Sequence, residues 1–264
     1  MTICICLVGM DWATLAGRVR AVLGGRNEYR GLEVTMSEND WINIARMIDH
    51  SLLGPAMSDE ELATGCRSAA EWGVASACVK PYFVAQAQTL LERSDVKVGT
   101  TVGFPHGSHA IRTKIAEARG AVEAGAQELD MVINIGKAKS ADWGYLEEEI
   151  GGVVNAAHSG RAVLKVTLQN RDLTDEEKRR LCRICRASRA DFIRNSTGYG
   201  GGPPTDEDLR LMLQEAGDEM GVKAAGGVQS YAHVAHMRDM GVQRIGARDT
   251  EQILRECRQS GHQA

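Results

Sequence analysis

Beyond residue 36, apolar positions along the chain switch repeatedly between a two-residue spacing and a helical one. Short β-rich runs stand at 48–53 (IDHSLL), 75–81 (ASACVKP), 97–105 (KVGTTVGFP), 128–134 (ELDMVIN), 162–168 (AVLKVTL), 190–197 (ADFIRNST), 221–228 (GVKAAGGV) and 242–247 (VQRIGA). Between and after them, helical periodicity predicts helices over 59–72, 82–92, 109–124, 141–157, 174–188, 205–218, 230–240 and 249–258. Ser58, Thr174 and Thr205 each precede an acidic first turn. Each is placed to accept an otherwise orphaned helix N–H, and the acidic residues suit the positive end of the helix dipole.

Eight strands alternating with eight helices imply a parallel sheet, because parallel neighbours need crossover connections. An open doubly wound sheet and a closed barrel both satisfy that pattern. Roughly 225 residues follow the leader, close to the usual size of an eight-stranded α/β barrel. The strand runs also end in polar or glycine-rich residues: His50-Ser51, Lys80, Gln169, Asn195 to Thr197, and Gly226-Gly227. In a barrel such ends converge on one mouth. The expected fold is therefore α/β, a single-domain (β/α)8 TIM barrel over residues 37–264 behind a short N-terminal extension, 1–36, with no assigned role.

Composition narrows the function. The 264 residues are 43% hydrophobic and 25% charged, with a formal net charge of −4, so no basic stripe offers itself to nucleic acid. No apolar run approaches the ~20 residues a bilayer-spanning helix needs. The opening MTICICLVGM lacks a basic leader, and seven cysteines without framework spacing suggest reduced thiols. A cytoplasmic protein is expected. Such barrels commonly pair, and an apolar outer helix face would support a homodimer.

Three ionisable residues fall inside strand patterns: Asp130, Lys165 and Lys223. One such residue is often just a strand-edge charge in water. Three on nearby strands, with Arg194 on the strand between the two lysines, point to a polar barrel interior instead. A lysine crowded by other cations loses proton affinity, which frees an amine to attack a carbonyl. Two glycine-rich loops follow strands, 196–202 and 225–228. Loops after the last strands of such barrels commonly cradle phosphate, so Gly198, Gly226 and Gly227 are candidates for an anion; Arg248 adds a cation there, but Asp249 beside it would repel an anion. Cys182 and Cys185 lie in a basic helical segment without a second pair, and His106, His109, His233 and His236 are too scattered for a metal. No metal or cofactor is expected.

Taken together, IDHSLL, ACVKP, TTVGFPHG, KIAEARGAVEAGAQELDMVINIG, LKVTL with LTDEE, DFIRNSTG, VKAAGGV and RIGA resemble the deoxyribose-phosphate aldolase family, from about Ile44 to Leu254. The resemblance implies class I aldol chemistry: a lysine forms a Schiff base with an aldehyde, and the imine draws electrons during carbon–carbon cleavage. It implies that Asp130 is a proton-relay carboxylate and Lys223 the lysine that perturbs the nucleophile. Lys165 becomes a further active-site lysine, while Asp49 and Cys78 line the pocket. The position implied for the Schiff-base lysine is Arg194. A guanidinium stays protonated and has no free amine lone pair. Asn195 and Gln169 replace a common threonine and glutamate, and Tyr199 and Gln229 replace basic residues. Arg248 and Asp249 stand where a pair of serines is usual.

The sequence therefore supports a diverged carbon–carbon lyase acting on a small anionic or phosphorylated carbonyl compound, a sugar phosphate being the family's usual substrate. Its catalytic group is Asp130, Lys165, Arg194 and Lys223, with Lys223, or else Lys165, as the imine-forming amine. The binding group is Asp49, Cys78, Asn195, Ser196, Gly198, Gly226, Gly227 and Arg248. Two alternatives stay open on the same barrel. One is an acid–base isomerase, dehydratase or cyclase that works without an imine; the other is a ligand-binding homologue without turnover.

Overall fold

The computed structural model describes residues 40–199 and 202–260. The 1–36 extension lies outside the described residues. In chain order the elements are α1 (Asp40–Ala45), β1 (Ile48–Leu52), α2 (Asp59–Trp72), β2 (Ser76–Val79), α3 (Val84–Leu91), β3 (Lys97–Val102), α4 (Ile111–Glu123) and β4 (Glu128–Val132). There follow α5 (Ile135–Lys139), α6 (Trp143–Ser159), β5 (Val163–Thr167), α7 (Asp175–Ala187), β6 (Phe192–Arg194) and α8 (Asp206–Ala216). The last are β7 (Gly221–Ala225), α9 (Tyr231–Met240), β8 (Arg244–Ala247) and α10 (Thr250–Ser260). All eight strands pair in parallel and in sequence order, and β1 closes on β8 through Ile48 opposite Ile245. The closed barrel expected from the strand spacing is the fold.

The predicted helix starts have their chemistry in place. Ser58 and Thr174 form reciprocal capping boxes with Glu61 and Glu177, and Thr205 accepts from the Asp208 N–H. Along each strand, side chains alternate between the helix layer and the barrel axis. Leu129, Met131, Leu164, Val166, Ile193, Val222 and Ile245 are buried in the apolar layer under the helices. Their neighbours are not the branched apolar residues that usually fill such barrels. Glu128, Asp130, Lys165, Thr167, Arg194 and Lys223 are all buried, and the strand register brings them level: Asp130 lies opposite Lys165, Thr167 opposite Arg194, Arg194 opposite Lys223, and Lys223 opposite Arg244. The barrel axis is therefore lined with charge.

Candidate active site

Burying one unpaired charge costs several kcal/mol, so charges along a barrel axis must satisfy one another. They do. The Asp130 carboxylate lies 2.6 Å from both the Lys223 ammonium and the Arg194 guanidinium, and 3.2 Å from Lys165. Lys223 also reaches Asp49 at 2.6 Å, and Lys165 reaches Glu128 at 2.6 Å and Asp49 at 3.3 Å. Arg244 joins the cluster from β8, at 2.5 Å from Asp49 and 2.9 Å from Glu128. Ser76 on β2 donates to Asp49 at 2.8 Å. Three carboxylates thus face four cations. When all seven groups are ionised, the cluster carries one excess positive charge.

That imbalance sets the protonation states. Burial alone would raise the carboxyls of Asp49 and Asp130. The attached cations outweigh it, Lys165 and Lys223 on both, with Arg244 on Asp49 and Arg194 on Asp130, and hold both well below the usual carboxylate range. Burial would likewise lower the Lys165 ammonium, but Asp130, Asp49 and Glu128 surround it and raise it above an ordinary lysine. Lys165 stays charged. Cys78 goes the other way: burial, and then the Asp130 charge, push its thiol up to about 12, so it is no thiolate nucleophile at neutral pH.

At the carboxyl ends of the strands a cavity of about 380 Å³ opens over this cluster. Lys223, Asp130, Arg194, Asp49 and Cys78 line its inner end. Gly198, Gly226, Gly227, Gln229, Arg248 and Asp249 line it further along the chain's last loops. Gly246 leaves room for the Lys223 stem: a Cβ there would stand 2.9 Å from the Ala225 Cβ and 3.4 Å from Lys223 Cε. Gly226 and Gly227 hold φ of 97° and 65°, a left-handed conformation that side-chain-bearing residues rarely adopt.

Of the catalytic group read from sequence, Asp130, Arg194 and Lys223 share the cavity, whereas Lys165 does not line it and sits within the ion cluster. Asn195 and Ser196 also do not line it; they border a neighbouring hollow with Pro203 and Thr205. The Asn195 side chain is spent on the backbone, accepting from the Ala225 N–H at 2.7 Å and donating to its carbonyl at 3.0 Å, which ties β6 to β7. Ser196 Oγ accepts from the Gly198 N–H and so shapes the loop.

Glu128 and Arg244 complete the charge cluster and were absent from the sequence-derived set. Their signal was available: Glu128 stands two residues before Asp130, hence on the same face of β4, and Arg244 is a charge inside a strand run. Arg194 is clamped as well as paired, donating to the Thr197 carbonyl at 3.2 Å and lying 5.5 Å from the Phe104 ring centroid. Tyr199 packs edge-on against Phe104, and its hydroxyl donates to the Leu53 carbonyl across the mouth. It separates the main cavity from a smaller one lined by His106 and Arg171.

His50 sits midway along β1, with Nδ1 2.8 Å from the Thr250 hydroxyl. Burial lowers its pKa from 6.5 to about 4, against a small opposing pull from Asp249. An imidazole whose pKa falls on folding is protonated first in the unfolded chain, so stability rises with pH across that interval. Urea unfolding should lose about 3 kcal/mol of stability between pH 6.5 and pH 4 from this group. A His50→Gln variant should flatten that slope, because Asp49 and Asp130 lose their contribution only as pH falls below the unfolded carboxyl values near 4. A slope that survives the substitution would contradict the assignment.

Buried cations on a charged axis, beneath an open cavity at the strand ends, give the arrangement of a barrel enzyme with its site at the mouth. The comparisons with known proteins narrow this. The DeoC/LacD family aldolase profile matches residues 44–250. The deoxyribose-phosphate aldolase of Caldanaerobacter subterraneus subsp. tengcongensis is 46% identical over 225 residues, covering 85% of this chain and 97% of that protein. A solved candidate deoxyribose-phosphate aldolase from Coccidioides immitis superposes with a TM-score of 0.79 at 30% identity, covering 94% of this chain and 96% of that one. The deoxyribose phosphate aldolase of Aeropyrum pernix, a tetramer, gives a TM-score of 0.76 at 28% identity over 83% of this chain and 94% of its own. The chain belongs to the DeoC/LacD family of aldolases and is a lyase of the deoxyribose-phosphate aldolase type. Among the described residues no helix is long and apolar enough to cross a membrane.

Proposed function

We propose that this protein cleaves a small β-hydroxy aldehyde into two aldehydes through an imine on Lys223. The observation that carries the proposal is the placement of the two lysines: Lys223 lines the cavity, and Lys165 does not. Lys165 is held charged by three carboxylates. Arg194 and Arg244 cannot shed a proton near neutrality. Lys223 is thus the one amine of the cluster that lines the cavity, where a substrate carbonyl can meet it. Arg194 keeps Asp130 neutralised when the Lys223 ammonium disappears.

The neutral Lys223 amine adds to the substrate carbonyl carbon, and the resulting carbinolamine expels water to give a protonated imine. A proton leaves the β-hydroxyl, the Cα–Cβ bond breaks, and its electron pair passes into the imine as an enamine while the first aldehyde departs. The enamine takes a proton at carbon, and water hydrolyses the imine to release the second aldehyde and restore Lys223. Asp130 lies 2.6 Å from Lys223 Nζ and is a proton-relay group for these steps, through water where the distance requires it. Arg194 lines the cavity and supplies a fixed cation there for a substrate oxygen. The barrel needs no metal or organic cofactor for this chemistry.

The test is turnover of 2-deoxyaldoses, followed by aldehyde release, with and without cyanoborohydride. Irreversible inactivation that depends on substrate and reductant together is the expected result. Activity that survives the reductant yet vanishes in Asp130→Asn would move the assignment to an acid–base reaction on the same barrel.

A further inference from the structure

The outer end of the cavity is built differently from its inner end. At the inner end every charged group has a partner of opposite sign within ion-pair distance. At the outer end Arg248 and Asp249, consecutive residues at the close of β8, both line the cavity. Among the described residues, neither side chain makes a hydrogen bond or an ion pair, even with the other. His50, the titratable group that faces Asp249, is held neutral at neutral pH by burial and brings no compensating charge. The nearby start of α9 is largely taken as well. The Tyr231 N–H donates to the Glu256 carboxylate at 2.8 Å, and the His233 N–H is taken by the Ser230 hydroxyl.

We propose that this outer end binds an unphosphorylated, hydroxyl-bearing chain, with Asp249 as the residue that disfavours a phosphate. The inference rests on the aldolase reading above and names the substrate class for that same cavity. Its basis is donor and acceptor inventory. A carboxylate only accepts hydrogen bonds, and near neutral pH a phosphate monoester is close to a dianion that also mainly accepts. Placed together they repel and share no proton. A pair of hydroxyls both donates and accepts. It can donate a hydrogen bond to Asp249 while accepting one from Arg248, so both rim charges gain a partner. Gly226 and Gly227 remain beside them as bare backbone, which serves a hydroxyl as readily as an anion. The glycine cradle expected for phosphate thus carries the acidic wall that Asp249, beside Arg248, foreshadows in the sequence.

Calorimetry of the intact protein with 2-deoxy-D-ribose 5-phosphate and with 2-deoxy-D-ribose reads binding without requiring turnover, so a failure of the imine assignment leaves this outcome intact. Asp249→Asn keeps the shape and removes the charge; Asp249→Ser removes the carboxylate altogether. Both should strengthen binding of the phosphorylated sugar, relative to the free sugar, at least tenfold over wild type. An unchanged ratio in both variants, including one in which the phosphorylated sugar gains no measurable binding, overturns the proposal.

Discussion

Replacing Lys223 with methionine should cut kcat/KM for aldehyde release by at least about a thousandfold while leaving a folded barrel. Methionine preserves most of the stem's volume but supplies no amine, and removal of a covalent nucleophile typically costs several orders of magnitude. The fold should tolerate the change because each orphaned carboxylate keeps a cation: Asp130 retains Arg194 at 2.6 Å, and Asp49 retains Arg244 at 2.5 Å. Water from the cavity can also reach the position that Lys223 leaves. Steady-state kinetics beside a thermal melt checks both halves. Turnover within tenfold of wild type would remove Lys223 from the chemistry.

Lys165→Met should do the reverse and damage stability first. Lys165 and Lys223 are equally buried, each side chain 2% exposed, but Lys165 does not line the cavity, and its ammonium touches Glu128, Asp130 and Asp49 together where Lys223 touches two carboxylates. No solvent takes its place. Removing one partner from a buried ion cluster costs about 3–5 kcal/mol, which for a domain of this size lowers the melting midpoint by about 6–20 °C. Urea unfolding at pH 7 measures it, and a loss below about 1 kcal/mol would show that Arg244, which also reaches Glu128, carries that load alone. The two lysines therefore separate by access to the cavity: Lys223, which lines it, is needed for turnover, and Lys165, which does not, for folding.

The barrel was legible because its strands and helices carry different periods over long enough runs. The predicted α2 at 59–72 matches the helix end for end, since Ser58 caps it and Gly73 closes it in the left-handed conformation. Helix α5 escaped because five residues, Ile135–Lys139, complete little more than one turn and show no period. Strand β6 is only Phe192–Arg194, shorter than the apolar run suggested. Asn195 leaves the ladder there to bond both polar groups of Ala225.

Side-chain type placed Asp130, Arg194 and Lys223 in one site, because charge within a strand has few other destinations. Depth along the axis was another matter. Whether a strand residue reaches the mouth or stays below it depends on the stagger between neighbouring strands, and no single run contains that information. Lys165 and Lys223 look alike in sequence, yet in the folded barrel the Lys165 ammonium meets three carboxylates and Lys223 lines the cavity. The occupied start of α9 was illegible for a related reason. Glu256, on the last helix, occupies the start of α9 through a contact 25 residues distant in sequence.

Borohydride reduction of the protein with acetaldehyde, followed by proteolysis and peptide mass mapping, tests the central claim most directly. An ethyl adduct confined to the peptide that carries residue 223, and lost in Lys223→Met, is the predicted result. An adduct on Lys165, or none on any lysine of the barrel, would contradict it.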